Sequence, residues 1–200
     1  MPFAKTYTTF DVRRLMQNSE GAASPVTGAA AHARVLHAEQ AGPGGPGTTP
    51  AQMMHRTHKR PGESNSQFKN RGGAVQTSAF KNVLQQSDAV AQALNSPRGQ
   101  AVMRVFDRAA TQGLPLRAML KVGGIQEAGF LAASGAPKAK TVHKNDATVS
   151  SGTGAGVNII LDRGPNANTF VVQTCYPLTV CPASSYKVTD QASRAVIEQG

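Results

Sequence analysis

The chain has 200 residues, 21 of them Lys or Arg against 11 Asp or Glu, for a net charge of +10; it carries 20 Gly and 12 Pro. At 40% apolar residues and no Trp, it holds one modest core with a good deal of loop. No run approaches the ~18 consecutive apolar residues that a membrane-spanning helix needs.

Residues 1–54 read as a flexible or partly helical leader. Ala22–Ala33 is rich in small residues, and Gly42–Pro50 (GPGGPGTTP) sustains neither helix nor strand. Between them, Ala29–Glu39 predicts a helix of about three turns carrying His32 and His37, with little apolar surface. Met1–Arg14 has charges and no apolar stretch of the kind a secretory signal uses. The expectation is a chain made in the cytoplasm without membrane insertion, and exported, if at all, by a specialised system.

Residues 55–200 form the expected basic domain. Phe80, Val83, Leu84, Val90, Ala91 and Leu94 recur at helical spacing after Thr77, predicting a helix over Ala79–Asn95 that Pro97 ends. A second helix is predicted from Arg98 to Thr111, with Val102, Val105, Phe106 and Ala109 on one face and Gly113 as its stop. Leu116–Val122 predicts a short strand and Thr141–Val149 a weaker one. Val157–Asp162 (VNIILD) and Thr169–Tyr176 (TFVVQTCY) predict an antiparallel hairpin around the turn Arg163–Asn168, with Pro177 closing the last strand. Helices first and sheet afterwards give an α+β fold, N-terminal helices packed on a small antiparallel sheet. Cys175 and Cys181, six apart, fit either a disulfide around Pro177 or two free thiols.

The chemistry narrows by elimination. The chain has no GxGxxG opening a helix, no HExxH and no GxSxG, and Ser151–Val157 (SGTGAGV) lacks the Lys and Ser/Thr of a phosphate loop. Acidic residues are too few and scattered for a magnesium-dependent nuclease, and no Cys/His cluster has zinc spacing. An enzyme built on these residues works without cofactor or metal. Residues 55–200 hold 17 basic and 8 acidic residues, a net of +9, which attracts polyanions. The segment Met54–Gly73 (MHRTHKRPGESNSQFKNRGG) sets His55 and His58 among Arg56, Lys59, Arg60, Lys69 and Arg71. An imidazole among fixed cations suits removal of the ribose 2′-OH proton beside a held phosphate. On the last strand, Thr174 and Tyr176 are two apart and project from one face, offering two hydroxyl donors to one phosphate.

The order of these parts resembles the RNase A-like C-terminal toxin domains of contact-dependent growth inhibition systems. More broadly it resembles the metal-independent ribonuclease class that includes barnase, EndoU, colicin and RelE. The likeness spans roughly residues 55–180. It is most specific in Gly156–Pro177 (GVNIILDRGPNANTFVVQTCYP), similar to a terminal hairpin whose last strand ends in TAYP, and in the step Ser78–Phe80 before a long helix. The resemblance implies an active site of one His, one Arg, the Thr and the Tyr: here His58, Arg71, Thr174 and Tyr176. His55 is the substitute for the His and Arg60 for the Arg, and His143 with Lys144 is a further candidate. The family's spacing from His to Arg is about eleven, whereas His58 and Arg71 are thirteen apart. The resemblance further implies transphosphorylation of RNA, tRNA among the substrates, to a 2′,3′-cyclic phosphate. It also implies a role in bacterial competition, a monomer, and an acidic cognate immunity protein as partner. A non-catalytic basic nucleic-acid-binding or secretion-associated adaptor is the alternative from another class.

Overall fold

The computed structural model describes residues 2–40, 47–125, 138–153, 155–165, 168–180 and 182–200. In chain order the elements are α1 (Thr9–Ser19), α2 (Ala33–His37), α3 (Pro50–Thr57), α4 (Asn65–Asn70), β1 (Gln76–Phe80), α5 (Val83–Asn95), α6 (Pro97–Ala110), β2 (Leu116–Gly123), β3 (Lys138–His143), β4 (Ser150–Thr153), β5 (Gly156–Arg163), β6 (Val171–Leu178), β7 (Ser185–Asp190) and β8 (Val196–Gln199). The fold is α+β, with helices packed on antiparallel sheets, although the helices do not all precede the strands. No described helix is long and apolar enough to cross a membrane.

The larger sheet runs β6-β5-β2-β7-β8, and the smaller runs β1-β3-β4. Strand alternation sorts the larger sheet into two faces. Leu116, Ala118, Leu120 and Val122 of β2 and Ile159 and Leu161 of β5 face a core shared with Val90 and Leu94 of α5 and with Val102, Met103 and Phe106 of α6. Met119 and Lys121 alternate with them on the opposite face. A smaller core of Met53, Ala79 and Val142 joins α3 to the β1-β3-β4 sheet.

The described part of residues 1–54 is partly helical and is packed against the main core. Phe3, Tyr7, Val12 and Met16 belong to the main core, with Phe3 against the rings of Phe106 and Phe170. The amides of Phe3 and Ala4 both donate to the carboxylate of Asp107 on α6. Thr8 caps α1 through a reciprocal pair of bonds with Asp11. Val12, Leu15 and Met16 recur at helical spacing and give α1 its inward face; Phe3 and Tyr7, ahead of the helix, are buried by tertiary packing.

Three further expectations differ from what is observed. The helix predicted over Ala79–Asn95 begins at Val83, capped by Asn82, because Gln76–Phe80 is a strand paired with β3. The weak strand over Thr141–Val149 is two short strands, β3 and β4, broken at a turn where the His143 amide donates to Asp146 Oδ2 at 2.7 Å. Pro177 does not end β6; it pairs with Val157, and its carbonyl accepts from Ser78 Oγ at 2.8 Å. That carbonyl therefore points away from β5, toward the sheet edge, and the missing N–H on the same side costs no ladder bond.

Candidate functional site

Ser78 Oγ bonded to the Pro177 carbonyl sets the edge of β1 beside the edge of β6. A cleft of about 660 Å³ opens there, and α2 and α3 close its other side. Its polar lining includes His32, His37, Arg56, Gln76, Lys121 and Tyr176. Among the described residues no Asp or Glu lines it, so the charges at its wall are cationic and favour an anion.

Sheet register explains why Lys121 and Tyr176 meet here. Lys121 pairs with Asn158, and Asn158 pairs with Tyr176. The three thus form one row across β2, β5 and β6 on the face opposite the main core, the outer pair about 10 Å apart at two strand spacings. The next row along is Met119, Ile160 and Thr174.

His37 sits at the end of α2, its ring 5.4 Å from that of Tyr176 and 6.0 Å from that of His32. Its Nδ1 lies 3.0 Å from the carbonyl oxygen of Ser78. A carbonyl only accepts, so Nδ1 carries the proton and Nε2 is the basic nitrogen. Nε2 has no hydrogen-bond partner among the described residues. Burial holds the pKa of His37 down at about 3, and the charges of Arg56 and His32 press the same way. The ring is therefore neutral across the physiological range. His32 is tied in the same sense, its Nδ1 3.3 Å from the Ala30 carbonyl. Arg56 donates to the Leu36 carbonyl at 2.8 Å and so pins the turn that carries His37. Burial raises the pKa of Tyr176, keeping its phenol protonated as a donor.

Of the four residues expected from sequence, only Tyr176 lines this cleft. Thr174 shares its face of β6 but is buried, and its Oγ1 has no partner among the described residues. His58 caps α3: its Nδ1 lies 3.1 Å from the Met54 carbonyl and its Nε2 2.8 Å from the Asp146 carbonyl. Nε2 ties the end of α3 to the turn after β3, and Nδ1 is occupied within the last turn of α3, where Thr57 Oγ1 lies 2.9 Å away. Arg71 donates to Glu63 and to the carbonyls of His55 and His58, a staple that closes the α3–α4 connection and pulls the Glu63 carboxyl down to about 2. Neither His58 nor Arg71 lines the cleft. Of the substitutes, His55 accepts from Arg60 at 2.7 Å, and His143 Nδ1 accepts from the Asn145 amide; none of the three lines the cleft either.

His32, His37 and Arg56 were visible as residue types, but the first two lie in a segment with no apolar stripe. Their burial comes from strand edges more than forty residues away, as the bond from His37 to Ser78 shows. Cys175 is buried, and Gln86 Nε2 donates to its Sγ at 3.2 Å; burial pushes its thiol pKa up. Cys181 lies outside the described residues. Comparison with family models, with curated proteins and with solved structures finds no match to this chain.

Proposed function

We propose that the protein is a metal-independent endoribonuclease whose active site is the cleft around His37 and Tyr176. The observation that carries this reading is the state of His37. It is a neutral imidazole with Nδ1–H committed to Ser78 and Nε2 without a protein partner, in a cationic cleft free of lining carboxylates among the described residues. His37 Nε2 takes the proton of the ribose 2′-OH, and the 2′-oxygen attacks phosphorus. Arg56 and Lys121 offset the charge that gathers on the phosphoryl oxygens, and the Tyr176 hydroxyl donates to one of them. The bond from phosphorus to the 5′-oxygen breaks as His32, acting in its imidazolium form, gives that oxygen the proton on its Nε2 and is left neutral. A 2′,3′-cyclic phosphate is left on one fragment and a 5′-hydroxyl on the other.

A phosphodiester brings a negative charge alongside His37, which favours the imidazolium and raises the ring's proton affinity when the base is needed. On the same reading the substrate is RNA, tRNA included, and DNA, lacking the attacking hydroxyl, is not cut. The resemblance to the growth-inhibition toxins extends the proposal to bacterial competition, to delivery into a target cell and to an acidic immunity protein as inhibitor. The test is direct. Purified protein incubated with tRNA in EDTA yields fragments with cyclic-phosphate ends, and RNA left intact at high protein concentration overturns the proposal.

A further inference from the structure

The outer edge of β1 is covered at both ends and open in the middle. Antiparallel pairing turns alternate residues of a strand toward and away from the partner. Val75 turns toward β3, its carbonyl accepting from the Lys144 amide at 2.8 Å. The even-numbered residues turn the other way, and their bonds show it. The Ala74 amide donates to the Arg56 carbonyl at 2.8 Å, the Ser78 carbonyl accepts from His37 Nδ1, and the Phe80 carbonyl accepts from the Glu39 amide at 2.7 Å. Gln76, between Ala74 and Ser78, has the same orientation. Its N–H and C=O point off the sheet edge without a partner among the described residues, and its side chain is exposed.

Gln76, Thr77 and Ser78 all line the cleft, whose apolar lining includes Leu178, Val180 and Pro182. The open stretch of edge is one residue long. It is too short to take a peptide as an added strand, which needs several successive main-chain bonds. It suits a flat group that presents one donor and one acceptor side by side and can lie against an apolar wall. Each nucleobase has such an edge: N1–H and O6 of guanine, N3–H and O4 of uracil, N6–H and N7 of adenine, N4–H and N3 of cytosine.

We propose that the open edge at Gln76 is a nucleobase subsite, in which the main-chain N–H and C=O of Gln76 bond the base next to the scissile phosphate. This rests on the ribonuclease reading of the same cleft and adds to it a recognition element. Because all four bases satisfy one donor and one acceptor, the subsite holds a base without choosing among them. The nuclease is therefore tolerant of sequence at that position.

Nitrogen-15 amide spectra of the full chain, titrated with the four nucleoside 3′-monophosphates and with ribose 3-phosphate, test this. All four nucleotides shift the Gln76 amide, with affinities within a few-fold of one another, and ribose 3-phosphate binds without moving it. Gln76→Ala keeps the advantage of nucleotide over ribose phosphate. Gln76→Pro removes the outward N–H while sparing the β3 ladder, and weakens nucleotide binding by about tenfold. Equal affinity of nucleotides and ribose phosphate, with the Gln76 amide unmoved, overturns the base subsite and leaves the phosphate site standing. Failure of all five ligands to bind overturns both proposals. The wild-type titration decides between these outcomes even if the proline variant does not fold.

Discussion

His37 and Tyr176 come from opposite ends of the chain, yet their rings lie 5.4 Å apart across the cleft. The pairing depends on α2 docking against the edge of β6, where the His32 amide donates to the Gln173 carbonyl at 3.1 Å. The candidate site thus spans the chain, and what holds it together is the packing of the N-terminal segment onto the last hairpin.

The first prediction follows from that packing. Removing residues 1–21 deletes Phe3, Tyr7, Val12 and Met16, all buried in the main core. Losing several large buried side chains, each worth roughly 2–5 kcal/mol, exceeds half or more of the ~5–15 kcal/mol that stabilises a typical domain. The truncated protein therefore loses its cooperative thermal transition in calorimetry. Retention of a sharp transition would show that the segment is dispensable. Removing residues 1–50 also deletes His32 and His37, so it abolishes nuclease activity as well.

A second prediction concerns pH. The His37 pKa is lowered from 6.5 in the unfolded chain to about 3 in the folded protein. Between those values the unfolded state binds the proton and the folded state does not, so stability falls as pH drops from about 6.5 toward 3. His37→Gln cannot titrate there. The urea midpoint of the wild type should fall more steeply from pH 7 to pH 4 than that of the variant. Parallel curves would mean that His37 is not held neutral by the fold.

Arg71 supplies the third. Its guanidinium is committed to Glu63 and to the His55 and His58 carbonyls. Arg71→Ala lowers the melting temperature by a few degrees and leaves kcat on RNA within about threefold of wild type, well short of the 10²–10⁴ expected for a lost acid–base group. A loss of kcat of a hundredfold or more in a folded variant would return Arg71 to the chemistry.

The sequence made α5, α6, β2, β5 and β6 legible because each carries its own burial pattern. Leu116, Ala118, Leu120 and Val122 alternate cleanly, and VNIILD is β-branched and apolar. β7 (SYKVTD) gave no such sign: only Val188 and Asp190 of its six residues are buried, and its place is fixed by pairing with β2. β1 was hidden for a related reason. Phe80 fits the helical recurrence of the residues after it, and only the pairing with β3 shows that it ends a strand. For the site, Tyr176 was legible because a strand's alternation fixes its face. The surroundings of the histidines are set in space and not in sequence. His58 stands among cations in sequence, yet the fold sets its Nε2 against the Asp146 carbonyl and its Nδ1 against Thr57 Oγ1 and the Met54 carbonyl. His37 has few charged neighbours in sequence and gains its surroundings from Ser78, Arg56 and Tyr176 in space.

Single-turnover cleavage of one RNA by wild type and by His37→Ala, with RNA affinity measured in parallel, bears on the active-site proposal most directly. The variant should bind RNA within a few-fold of wild type and cleave it at least about a hundredfold more slowly. Cleavage at the wild-type rate by a folded His37→Ala protein would contradict the assignment of this cleft as the active site.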